Sequence, residues 1–263
     1  MAQGEAKRMS AREQVFSAIR RGLGVTGDEA PRRKIVADRL ADHPTGVVPS
    51  RGKLEGDERI GLFLRMIERA AGTAMRLAGP DELPGAVLDY LKRAGLPPAL
   101  RRGEDAYLAG VPWNRTPDLV ITIGPSDGHD LVAISHAVAG IAETGTLMLT
   151  SGSENPTTLN FLPDHHLVVV EADTVVGDLE AAFARLRERE GAEHGMPRSV
   201  DLITGPSRSA DIEQTLILGA HGPRRLHVIV IGDPRKLRAS PAARKRRAKA
   251  AAAAAETSPP VAR

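Results

Sequence analysis

The chain contains no cysteine. That absence excludes a disulfide framework, thiolate metal ligation, a cysteine-held iron–sulfur cluster and a cysteine nucleophile. Aromatic residues are scarce, at 3% of the sequence, so a core must be built from Ala, Val, Leu and Ile. No stretch reaches the run of about 18 apolar residues that a membrane-spanning helix needs. The opening residues, MAQGEAKRMSAREQ, carry charge but no apolar segment of the signal-peptide kind. A cytoplasmic protein is the expectation.

What is present suits an α/β domain. The 263 residues are 41% hydrophobic, enough for one sizeable core with flexible ends. The net charge of +3 conceals a strong asymmetry. Residues 1–53 hold 11 basic and 6 acidic residues, and 235–263 hold 9 and 1. The stretch between them holds 16 basic and 26 acidic residues, a net charge of −10. An acidic body argues against a nucleic-acid-binding face on it. The tail, KRRAKAAAAAAETSPP, reads as a solvated, disordered segment. Three regions follow: an N-terminal helix and linker arm over 1–54, a folded domain over 55–234 and a basic Ala-rich tail over 235–263.

Ser10 and Glu13 have capping-box spacing, and Val15, Phe16, Ile19 and Leu23 follow at helical spacing. This predicts an amphipathic helix over 10–21 whose stripe docks on the body or on a partner subunit. Residues 24–53 read as a linker. Helices are predicted over 55–70, 81–94, 175–190 and 209–220. Short apolar runs predict strands at 73–77, 117–124, 145–150, 165–172, 199–204 and 225–232, with 129–137 ambiguous. Alternating strands and helices indicate a mainly parallel sheet with helices on both faces. Ligands of such sheets bind outside the strands' carboxyl ends.

Four stretches bear on chemistry. In AETGT, Glu143 stands before an apolar strand, beside Thr144, Gly145 and Thr146. A carboxylate there can act as general base or covalent nucleophile, with Gly145 letting the backbone approach a ligand. Equally, it can pair with Arg208 or Arg224 and meet no substrate. In TGPSRSADIE (204–213), a Gly205 turn leads from strand to helix, and free N–H groups at a helix start attract anions. Ser207 and Ser209 add hydroxyls, and Arg208 offers a planar fork for a carboxylate or phosphate. The alternative is an ordinary cap made by Ser209 and Asp211. In LGAHGPRR (218–225), His221 stands beside Gly222 and ahead of Arg224. A histidine so placed can be an acid, base or ligand, or can satisfy a carbonyl. In LPDHH, His165 and His166 are adjacent, so on a strand they face opposite sides and cannot share a metal. No HExxH or His-x-His occurs, so no metal is expected.

Taken together, GIAETGTLMLTSG, LNFLPDHHLVVVEADTVV and GPSRSADIEQTLILGAHGPRRLHVIVI resemble the LUD-domain family, of the lactate-utilisation protein C (LutC) type. The resemblance covers about residues 55–232. It implies a fold similar to the NagB/RpiA/CoA-transferase-like architecture. It also implies a cytoplasmic role in oxidising L-lactate to pyruvate together with iron–sulfur partner subunits. The clusters would lie in those partners, in keeping with a chain that has no cysteine and no cofactor of its own. No GxGxxG follows a strand, so a redox carrier is also expected in a partner.

On this reading Glu143 and His221 are the catalytic candidates. Thr144, Gly145, Thr146, Gly205, Ser207, Arg208, Asp211, Gly222 and Arg224 would line a cleft for a small carboxylate or other anion. An autonomous acyl- or CoA-transferase-like enzyme and a non-catalytic scaffold or regulator are the alternatives. Two features depart from the resemblance. Asn155, Thr157 and Asn160 fall in an unusual stretch before the Leu-Pro motif, and residues 98–128 are long enough to form a lid.

Overall fold

A computed structural model of the chain describes residues 9–209 and 217–232. Two compact units meet between Val47 and Val48. In the first, α1 (Ala11–Leu23) starts where expected: the Ser10 hydroxyl accepts from the Glu13 amide, and the Glu13 carboxylate accepts from the Ser10 amide. Gly24 ends α1 in the left-handed conformation. No α1 residue is buried, and its apolar stripe stands exposed. The expected linker contains a further helix, α2 (Ala30–Asp42), begun by Pro31 and braced by the Lys34–Asp38 pair at 2.8 Å.

The second unit is built on a six-stranded parallel sheet. Its strands are β1 (Thr73–Leu77), β2 (Ala99–Arg102), β3 (Val120–Ile123), β4 (Val132–His136), β7 (His165–Glu171) and β12 (Arg225–Ile231), in the order β1-β12-β7-β4-β2-β3. A second sheet holds β5 (Ala139–Ile141), β6 (Thr146–Thr150), β8 (Val175–Val176) and β9 (Val200–Ile203), in the order β8-β5-β6-β9. A two-stranded ladder pairs β10 (Arg208–Ser209) with β11 (Ile217–Leu218).

Strand alternation sorts the core into layers. On one face of the large sheet, Leu167, Val169, Ile229 and Ile231 pack on Leu83, Val87 and Leu91 of α4 (Leu83–Ala94). On the other, Val168, Val170, Val228 and Val230 pack on Ile60, Phe63 and Ile67 of α3 (Gly56–Arg69), and on Leu147 and Leu149 of the second sheet. The outer face of that second sheet, with Ile141 and Met148, is covered by Ala182 and Leu186 of α7 (Leu179–His194). Each fully buried aliphatic side chain contributes about 1.5–3 kcal/mol, which lets aliphatics replace aromatics here.

Several expectations are corrected. The 117–124 run is an edge strand rather than a buried one, with Val120 and Ile123 more than half exposed, because among the described residues β3 pairs with β2 alone. The 129–137 run is a strand. The helix expected from 175 is preceded by β8 and begins at Leu179, where the Asp178 carboxylate accepts from the Ala181 amide. The helix expected over 209–220 is replaced at both of its described ends by β10 and β11; residues 210–216 lie outside the described residues. The stretch 98–128 is no lid: it supplies β2, β3 and the short helix α5 (Ala106–Ala109). The basic tail from 235 lies outside the described residues.

Candidate functional site

A cavity of about 280 Å³ opens where four segments meet. Asn160 and Phe161 come from α6 (Thr158–Phe161), His166 from β7, Leu202 and Ile203 from β9, Leu226 from β12, and the rest from the stretches 204–208 and 221–223. His166 and Leu226 are each the second residue of their strand, so the cavity lies at the amino ends of the large sheet and the carboxyl end of β9. The sheet rule had pointed to the other end.

The two loops are tied to each other. The Ser207 amide donates to the Pro223 carbonyl at 2.9 Å, and the Gly219 amide to the Ser207 carbonyl at 3.0 Å. Gly205, Ser207, Arg208, His221 and Gly222 therefore line one cavity. Arg208 opens β10 rather than a helix, so the expected helix-terminus anion site is absent at Ser207–Ser209. The guanidinium gives one N–H to the Ala70 carbonyl at the end of α3, at 3.0 Å. Asp211 lies outside the described residues.

The first motif is placed differently. Glu143 sits in the β5–β6 turn and is not among the residues lining this cavity. Its carboxylate is mostly buried and lies 4.0 Å from Arg51, not beside Arg208 or Arg224. Arg224 instead pairs with Asp164 at 3.3 Å, away from the lining. The turn reaches the cavity through hydroxyls: Thr144 to Thr146 at 2.7 Å, then Thr146 to the lining residue Thr204 at 2.6 Å.

Gly145 and Gly205 have a structural reason different from the expected one. Both adopt positive φ, +68° and +78°. A Cβ on Gly145 would lie 2.6 Å from the backbone of Met66 and Ile67, and one on Gly205 would lie 2.2 Å from the Ala70 carbonyl. Both glycines admit the end of α3, and Gly205 lines the cavity as well.

The residue that sequence reading missed is His166. It was weighed only as a metal ligand, and its separation from His165 across the strand is as expected: His165 bonds Tyr90 at 2.8 Å on the α4 side. His166 faces the other way and is fully buried. Burial pushes its imidazole pKa down to about 3, so the ring is neutral. Its Nε2 lies 3.0 Å from the Ser135 hydroxyl. Ser135 donates to Asn160 Oδ1 at 3.4 Å, and Asn160 Nδ2 donates to the Asp201 carboxylate at 2.7 Å. His166 Nδ1 is buried with no partner. Of the three unusual positions before the Leu-Pro motif, Asn160 lines the cavity and Asn155 and Thr157 do not; Asn155 bonds the Thr150 carbonyl instead. The available signal was a lone imidazole at the 166 position of a face otherwise made of Val168 and Val170.

Two other polar clusters flank the sheet. At its carboxyl ends, His136 Nδ1 lies 3.3 Å from Asp105, Nε2 lies 4.0 Å from Glu171, and Tyr107 stacks on the ring at 4.4 Å. On the α4 face a broader cavity of about 560 Å³ is lined by Tyr90, Arg93, His165, Arg225 and His227. Among the described residues, no group of three His, Asp or Glu could hold a metal ion, and no helix is long and apolar enough to cross a membrane.

Comparisons with known proteins place this architecture. The chain is 37% identical over 102 residues to "Lactate utilization protein C" of Geobacillus sp. (strain WCH70), covering 39% of this chain and 42% of that protein. The same figures hold for the protein of that name from Geobacillus thermodenitrificans. An uncharacterized protein of Neisseria meningitidis serogroup B is 43% identical over 97 residues, covering 37% of this chain and 40% of that one. The matches thus span about two-fifths of these curated relatives. In fold, the chain is similar to the crystal structure of a DUF162 family protein from Deinococcus radiodurans, with a TM-score of 0.50 and 24% identity over 68% of this chain and 99% of that one. The family model described as "LUD domain" matches residues 60–231, the stretch that holds both sheets and the cavity, and the chain belongs to the LUD-domain family.

Proposed function

We propose that this chain is a component of a lactate-utilisation system and that its cavity at the β7–β9–β12 junction holds a small carboxylate. The observation that carries the reading is the convergence of Arg208, Ser207 and His221 on one cavity walled by a neutral imidazole. Arg208 gives one N–H to the end of α3, which fixes the guanidinium plane and leaves other donors of its five for a carboxylate. His221 handles the proton at the mouth, where it is exposed. The names of the relatives supply the metabolic context. On this reading, L-lactate is oxidised to pyruvate with iron–sulfur partner subunits that hold the redox carrier. Glu143 stands outside the lining of this cavity, against Arg51, so the carboxylate reading is preferred to acyl transfer with Glu143 as nucleophile.

The test is lactate-dependent dye reduction by the partner subunits, with and without this chain, joined to a binding measurement. Arg208→Ala removes a charged hydrogen bond worth about 1.5–3 kcal/mol, so carboxylate affinity should fall roughly 10- to 150-fold. Unchanged affinity removes Arg208 from the site. Full dye reduction without the chain removes it from the reaction.

A further inference from the structure

The polar chain that ends at His166 has a direction. Asp201 accepts only, so the atom of Asn160 at 2.7 Å from it must be the amide nitrogen. The amide oxygen then faces Ser135 and must receive that hydroxyl's proton. With its one proton committed, Ser135 can only accept from the imidazole, so the neutral ring carries its hydrogen on Nε2. Nδ1 is left as a bare lone pair, buried and without a partner, on a residue of the cavity wall. A buried acceptor left unmatched is destabilising, so a ligand that brings a donor relieves the mismatch.

We propose that His166 Nδ1 is the specificity-determining acceptor of this cavity, and that it selects a small hydroxy acid over the corresponding oxo acid or the acid with neither group. The inference rests on the carboxylate reading above. A hydroxyl donates to Nδ1, whereas a ketone oxygen would set lone pair against lone pair. Ser135 and Asp201 line no part of the cavity; they are positioning residues that, through Asn160, hold the tautomer.

The test has two arms on the full chain. In the first, ligand-observed NMR measures binding of L-lactate, pyruvate and propionate. L-lactate should bind at least about tenfold more tightly than either of the others, since sites built around a substrate hydroxyl reject analogues that lack it. His166→Phe should bring the three affinities together while leaving propionate binding in place. Equal binding of all three by the unmodified protein overturns the inference and leaves the carboxylate reading standing. Binding of none overturns both. In the second arm, long-range ¹⁵N–¹H correlation on the unmodified protein reads the tautomer without any ligand. A protonated Nε2 and bare Nδ1 are expected, and Ser135→Ala should abolish that bias. A proton on Nδ1 in the unmodified protein overturns the inference.

Discussion

Burying a neutral imidazole makes the fold sensitive to acid, and the size of the effect follows from the structure. In the unfolded chain His166 has its ordinary pKa of 6.5, whereas the folded value is about 3. Because the folded pKa is depressed, the unfolded chain binds the extra proton first as pH falls. The stability contribution is therefore complete above pH 6.5 and is lost progressively on acidification towards pH 3. Between pH 8 and pH 5 the linkage integral gives a loss of about 2 kcal/mol for this group. His227, nearly buried and pushed down to about 4, adds a similar amount, about 2 kcal/mol. Replacing His166 by Gln removes the titration and keeps an amide donor for Ser135. The assay is urea unfolding from pH 8 to pH 5, followed by fluorescence of the single tryptophan, Trp113. The unmodified protein should lose about 2 kcal/mol more than His166→Gln across that range, and every other titrating group cancels in the difference. Parallel losses in the two proteins would refute the argument that His166 is held neutral by burial.

Two packing predictions accompany it. Gly205→Ala combines a positive φ with a Cβ 2.2 Å from the Ala70 carbonyl, and should destabilise the fold by about 2–4 kcal/mol in chemical denaturation. A loss below about 1 kcal/mol would mean the loop and α3 are not in fixed contact. Phe63→Ala empties a fully buried site between α3 and the two sheets, and should cost about 3–5 kcal/mol on the same measurement.

Elements with strong periodicity were legible in the sequence. The runs at 165–172 and 225–232 are β7 and β12, two adjacent interior strands, and the helical spacing of Ile60 and Ile67 gives α3. Short or polar-flanked pieces were not. β5 is three residues long and β8 is two, too short for a period of two to register. The stretch SADIEQTLILGA carries a helix-cap signal, yet Arg208 and Ser209 are held by pairing with Ile217 and Leu218, a tertiary influence that local propensity does not contain. In the candidate site, the loops were legible because Gly, Ser, Arg and His cluster there. The buried chain was not. Ser135, Asn160, His166 and Asp201 are scattered along the sequence, and the pairing of β4 with β7, together with the approach of α6, brings them together. The glycines were identified for the right property, a backbone free of a side chain, but the sequence did not show the neighbour that needs it.

That neighbour, the last turn of α3, has a rotational phase that matters. The backbone of Met66 and Ile67 fills the gap at Gly145, and the Ala70 carbonyl meets both Gly205 and Arg208. Each residue added to a helix turns everything after it by about 100°. One insertion early in α3 would therefore swing the Ala70 carbonyl away from the guanidinium and drive side chains into both glycine gaps. α3 lines no part of the cavity, yet its length in whole residues sets where Arg208 points. A helix outside the pocket acts as its angular gauge, and natural variation in its length should be far more restricted than its distance from any ligand suggests.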